Sequence, residues 1–142
     1  MKPMDLDLQF VAHALPAFLS EAREQIASIE QLLLQLEDAP DDRELLDALF
    51  RCAHTVKGSA GIFGLDAVVA FTHHVESLLD RLRAGALQLT PALDTLLLQC
   101  NDQIRALVDA AGQPASDGTV DTDGDAARAA LVVRLQAAGA GG

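Results

Sequence analysis

The chain has no tryptophan, no tyrosine and only five phenylalanines. Strands favour aromatic and β-branched residues, whereas the leucine and alanine that dominate here are strong helix formers, so the shortage argues against a sheet. Cysteine is scarce too. Cys52 and Cys100 form neither a C-x-x-C nor a zinc-ligand pattern and read as small hydrophobes inside helices. Basic residues number 10 against 21 acidic ones, for a formal net charge of −11. That balance disfavours nucleic acid and anionic membrane surfaces alike. No apolar run approaches the roughly 18 residues a membrane span needs, so no membrane insertion is expected. The N-terminal "MKPMDLDLQFVAHALPAFLSEAREQ" lacks the layout of a signal peptide, and the protein reads as cytoplasmic. Walker A and G-x-G-x-x-G nucleotide loops are missing, as are a nucleophile elbow and the inward-facing E-x-x-H pairs of a di-metal bundle. The expectation is therefore no metal, no cofactor of its own and no catalysis by this chain alone.

What is present is helical periodicity. Half of the 142 residues are apolar, enough for the core of one domain. Phe18, Ala22, Ile26, Ile29, Leu33 and Leu36 recur at three- and four-residue steps, which predicts a helix ending near Glu37. Pro16 is welcome in a first turn and costly later, so the main helix should start there, after a short or kinked piece. Asp41 with Glu44 suggests a capping box for a second helix, faced by Leu46, Leu49, Phe50, Ala53, Val56 and Ala60. "GIFG" ends it. A third helix, about 65–84, carries Val68, Thr72, Val75, Leu79 and Leu82, with Gly85 as its cap. Thr90 and Pro91 open a fourth, faced by Leu93, Leu96, Leu97, Cys100, Ile104, Leu107 and Val108 and closed by Gly112. Residues 113–124 read as a flexible linker. Residues 125–142 read as a short helix, with Ala129, Val132, Val133 and Leu135 apolar, and a frayed tail. Long amphipathic helices with short connections imply an all-α, antiparallel up-and-down four-helix bundle over residues 1–112, plus an additional C-terminal helix whose placement stays open.

One stretch breaks this regularity: "HTVKGSAGIFG", His54 to Gly64. Glycine costs a helix interior about 1 kcal/mol against alanine. At about 100° per residue, His54 falls on the edge of the second helix's buried stripe, with Asp47, Lys57, Gly58 and Gly61. Glu76 falls on the matching edge of the third helix, with His73 further round. The "GIFG" turn makes the two helices antiparallel neighbours, so His54, Lys57, His73 and Glu76 could gather on one edge. A carboxylate accepting the Nδ1 proton would leave Nε2 as nucleophile, an ammonium would balance phosphoryl charge, and the glycines would leave room for another protein's active site. The implied reaction is phosphorylation of His54 at Nε2, followed by transfer to another protein. The plainer readings are a surface lysine, an ordinary helix-face acid and glycines serving a tight hairpin; His13 and His74 read as incidental.

The blocks "LFRCAHTVKGSAGIFGL" and "FTHHVESLLDRLRAG" resemble histidine phosphotransfer domains, most closely the N-terminal phosphoacceptor domain of CheA-type chemotaxis histidine kinases. The resemblance covers about residues 16–112. It implies a helical bundle in which His54 is the phosphoacceptor, Glu76 its Nδ1 partner, and Lys57, Gly58, Gly61 and Gly64 the matching motif positions, with His73 aligned in the second block. His74 makes that last alignment ambiguous by one residue. It further implies two partners: a kinase catalytic domain that spends ATP on His54, and a response-regulator receiver whose aspartate takes the phosphoryl group. Val56, Ile62 or Phe63 would offer an apolar docking edge beside His54. The linker and "GAGG" end suggest an N-terminal fragment of a longer kinase. The alternative class is a helical adaptor bundle without chemistry.

Overall fold

The computed structural model describes the backbone of residues 3–112 and 122–141, and the side chains of 13–112 and 126–139. Five helices follow in order: α1 (Pro3–Asp38), α2 (Arg43–Ile62), α3 (Asp66–Arg83), α4 (Pro91–Ala111) and α5 (Thr122–Gly141). No strand occurs among the described residues. Helices α1 to α4 form the antiparallel bundle, each packed on the next and α4 closing back onto α1.

The core is the set of stripes read from periodicity. Every residue of the α1 and α3 stripes is buried, as are Leu46, Leu49, Ala53, Val56 and Ala60 of α2. On α4, Leu93, Leu96, Leu97, Cys100, Ile104 and Val108 are buried, while Leu107 is half-buried at the seam. Cys100 behaves as the small hydrophobe expected; Cys52 is only half-buried, and both are free thiols.

The helix ends follow local chemistry. Thr90 accepts from Leu93 N–H at 3.1 Å with Pro91 in the first turn, as expected. The hairpins after α2 and α3 both end in a Schellman motif. Leu65 N–H donates to Ala60 C=O and Gly64 N–H to Gly61 C=O; Ala86 N–H donates to Arg81 C=O and Gly85 N–H to Leu82 C=O. The motif needs a left-handed residue, and Gly64 (φ +68°) and Gly85 (φ +78°) supply it.

Four expectations are corrected. Helix α1 does not start at Pro16 but runs continuously through it. Proline costs a helix interior one backbone hydrogen bond and some steric strain, and the packing of Phe18, Ala22 and Ile26 on the core offsets that cost while Pro16 itself stays exposed. The cap of α2 is Asp42, not Asp41: the Asp42 carboxylate accepts from Leu45 N–H at 3.2 Å, so the capping-box spacing to Glu44 does not apply. Helix α5 begins at Thr122 and continues to Gly141, taking in the last residues assigned to the linker and most of the tail. The rest of the linker lies outside the described residues. Finally, α5 packs on α3 and α4 through Leu131 and Leu135, leaving Ala129 and Val133 exposed.

Candidate functional site

Helices α2 and α3 form a hairpin through the Gly64 turn, which sets their facing edges in register. His54 and Lys57 lie one turn apart on α2, and both converge on Glu76 of α3. His54 Nδ1 is 3.0 Å from Glu76 Oε2, and Lys57 Nζ donates to Glu76 Oε1 at 2.8 Å. Each carboxylate oxygen therefore has its own partner.

Burial is graded across the three side chains. Glu76 is 12% exposed, Lys57 22% and His54 61%. Burial alone would raise the Glu76 pKa, but hydrogen bonds from Lys57 and His54, with their charges, outweigh it and hold the carboxyl below its usual range. Glu76 is thus ionised near neutrality, and a carboxylate can only accept. The shared proton belongs to His54 Nδ1, so whenever the ring carries a single proton its Nε2 lone pair is uncommitted. The arrangement can orient one tautomer, stabilise positive charge on the imidazole and present a nucleophilic nitrogen to a partner.

The ground around the ring is open. A Cβ built on Gly58 would meet nothing within 4 Å, and one on Gly61 would only touch Val69 at 4.0 Å. Packing therefore explains neither glycine; the tight-turn reading holds for Gly64 alone. Phe63 is half-buried and packs on Phe18 with centroids 5.0 Å apart, which ties it to the core. Val56 is buried and cannot form a docking edge, whereas Ile62 is exposed about two turns along α2 from His54.

His73 does not join the cluster. It is exposed, its ring meets His74 edge-on at 6.1 Å, and among the described residues it bonds neither to His54 nor to Glu76. It lies further round α3, so level with the site is not the same as facing it. Arg51 pairs with Asp47 of the same helix at 3.0 Å. Two neighbours escaped the sequence reading. Phe50, taken as core, stacks on the His54 ring, and Arg83, given no role above, lies over Phe50. The signal for Phe50 was its position one turn before the histidine.

Residues 13–113 match the Hpt domain family. The chain belongs to that family. The chain is 36% identical over 126 residues to the chemotaxis protein CheA of Cereibacter sphaeroides, covering 87% of this chain and 18% of that protein. It spans less than a fifth of the length of the curated relatives it matches. Its fold resembles the CheA phosphotransferase domain from Thermotoga maritima, with TM-score 0.67, 32% identity, and 71% and 96% of the two chains covered. It also resembles the phosphorylated P1 domain of CheA3, solved in complex with CheY6 from R. sphaeroides, with TM-score 0.73 over 89% and 98% of the chains; at 23% identity that likeness concerns the fold. Among the described residues no helix is long and apolar enough to cross a membrane.

Proposed function

We propose that this Hpt domain carries phosphoryl groups on His54 Nε2, within a chemotaxis-type phosphorelay. The observation that carries the reading is the His54–Glu76 bond: it takes up Nδ1 while the ring stays 61% exposed. The Nε2 lone pair attacks the γ-phosphorus of ATP held by a partner kinase domain. The bond from phosphorus to the bridging oxygen breaks and ADP leaves. The new N–P bond makes the ring cationic, with its remaining proton on Nδ1 facing the Glu76 carboxylate. Lys57, held at the same carboxylate, sets positive charge one turn from the incoming phosphoryl group. An aspartate of a receiver domain then attacks phosphorus, and the electron pair returns to Nε2. His73 has at most a supporting part, from outside the cluster.

On this reading the chain is substrate and carrier rather than catalyst, and ATP belongs to the kinase domain. The domain matches under a fifth of its CheA relatives, one of which is named a sensor histidine kinase, and this supports a longer parent kinase; a cytoplasmic place of work goes with that reading. The CheA3 P1–CheY6 complex supports a receiver as the second partner. Gly58, Gly61 and exposed Ile62 form the ground over which either partner would close.

The test is phosphorylation by a CheA-type catalytic core with labelled ATP, on wild type and His54→Gln. An acid-labile, base-stable label on wild type alone is expected. Equal labelling of both would move the site to His73 or His74. No labelling of either, across several kinase cores, would favour the adaptor class.

A further inference from the structure

His54 is held at two points. One is the Nδ1 bond to Glu76, and a single hydrogen bond leaves the ring free to rock about Nδ1, which bends the Nδ1–H off the carboxylate. Such rocking would swing Nε2 through an arc. The second point is a flat neighbour. The Phe50 ring lies within 11° of parallel to the imidazole, with centroids 5.8 Å apart, in the range of offset stacking. Helical side chains lean toward the helix N-terminus, which brings His54 over the residue one turn before it.

Phe50 is itself only half-buried and needs support. Arg83 supplies it: the guanidinium carbon sits 3.8 Å from the Phe50 ring centre. Two carboxylates hold that guanidinium. Arg83 Nε donates to Asp80 Oδ1 at 2.8 Å and Nη1 donates to Asp47 Oδ1 at 3.2 Å. Asp47, Phe50 and His54 share one stripe of α2, while Glu76, Asp80 and Arg83 share the facing stripe of α3. The result is a stack running along the hairpin edge, from the carboxylates through guanidinium and phenyl to imidazole. These ion pairs are partly exposed, where such pairs add little to stability. Their geometric effect is to keep a planar cation on Phe50.

We propose that Phe50, backed by Arg83, is a positioning residue that sets the plane of the His54 imidazole and so the direction of Nε2. The proposal rests on the reading of His54 as phosphoacceptor. Direction matters because in-line transfer depends on a near-attack geometry, and a misplacement of about 1 Å can cost about 100-fold in rate. Phe50→Leu keeps apolar bulk and loses the flat face. It should lower the rate of phosphoryl uptake at saturating kinase about tenfold, leaving the KM for this domain within about twofold. Phe50→Tyr keeps the face and should restore the rate. Arg83→Gln should fall between.

The second readout needs no kinase. Nitrogen NMR of the His54 ring should show a dominant Nδ1–H tautomer in wild type and Phe50→Tyr. In Phe50→Leu the signals should move toward the average of the two tautomers, as the Nδ1–Glu76 bond loses its alignment. A side chain that served only packing would lower the melting temperature without moving the tautomer signature. Phe50→Leu with wild-type rate and wild-type tautomer signals would overturn the proposal. So would a loss confined to KM, which would make Phe50 a docking residue. Arg83→Gln equal to wild type in both readouts would remove Arg83 from it. If wild type takes no phosphoryl group on His54, the functional reading fails, and the tautomer signals alone decide whether Phe50 orients the ring.

Discussion

Two carboxylates show what burial does with and without partners. Glu76 lies on the α2–α3 edge and is 12% exposed, yet its pKa is held low because Lys57 and His54 each bond one oxygen. Asp94, in the first turn of α4, is 2% exposed, and neither of its oxygens has a hydrogen-bond donor. Burial raises its pKa to about 6. Glu37 adds repulsion toward the ionised form and an acceptor for the protonated one. One helical bundle thus keeps one acid charged and lets another approach neutrality. The difference lies in Asp94's deeper burial and in the neighbours each acid meets: two donors for Glu76, another acid for Asp94. A buried acid with donors can orient a nucleophile; one without them mainly costs stability.

Removing the charge at each position sharpens that contrast. Glu76→Gln should slow phosphorylation of His54 about 100-fold, the scale of a lost acid–base partner, because the amide can also donate and no longer selects one tautomer. Labelled-ATP kinetics at saturating kinase would check it; a rate within twofold of wild type would end the role assigned to Glu76. Since the Glu76 pKa is lowered on folding, its contribution to stability is present above the ordinary carboxylate value and lost as pH falls through the folded value.

Asp94→Asn should act in the opposite sense. A carboxyl whose pKa is raised on folding stabilises the protein while protonated. That contribution is full below the ordinary 3.8 and disappears as pH climbs through about 6. At pH 7 the substitution should therefore stabilise, by about 1–2 kcal/mol once solvent screening at the adjoining cleft is allowed for. Melting temperature against pH is the measurement. The wild type should lose ground to the variant between pH 4 and about 6, and parallel curves would show that Asp94 ionises as an ordinary acid.

Gly58→Ala has the smallest expected effect on stability. Nothing stands where its Cβ would go, and alanine in a helix interior is worth up to about 1 kcal/mol over glycine. If the open ground serves a partner, the variant should melt higher and pass phosphoryl groups more slowly. A variant that is more stable and equally fast would show that the ground at residue 58 is not used.

The stripes of α1 to α4, the Thr90–Pro91 start and the glycine stops were legible in the sequence because each depends on residues within a turn or two. The same locality made the histidine motif readable, and antiparallel pairing carried that reading to Glu76. Reading failed where distance along the chain hid a neighbour. Pro16 resembles a helix start, but α1 runs through it, because a proline on an exposed face can be carried by a helix whose other face is packed. His73 shares the second block with Glu76, but its angle on α3 points it away. Leu131 and Leu135, rather than Ala129 or Val133, anchor α5 because only the groove between α3 and α4 selects its buried face.

Periodicity and capping chemistry by themselves determined an all-α bundle with a histidine, a lysine and open glycines on one edge, since helix propensity and side-chain phase are local properties. Tertiary structure alone decided the rest: that Lys57 and His54 divide the two oxygens of Glu76, that Arg83 covers Phe50, and that Asp94 is buried beside Glu37. These are contacts between side chains far apart in sequence, and their energies depend on distance and burial, which periodicity does not carry.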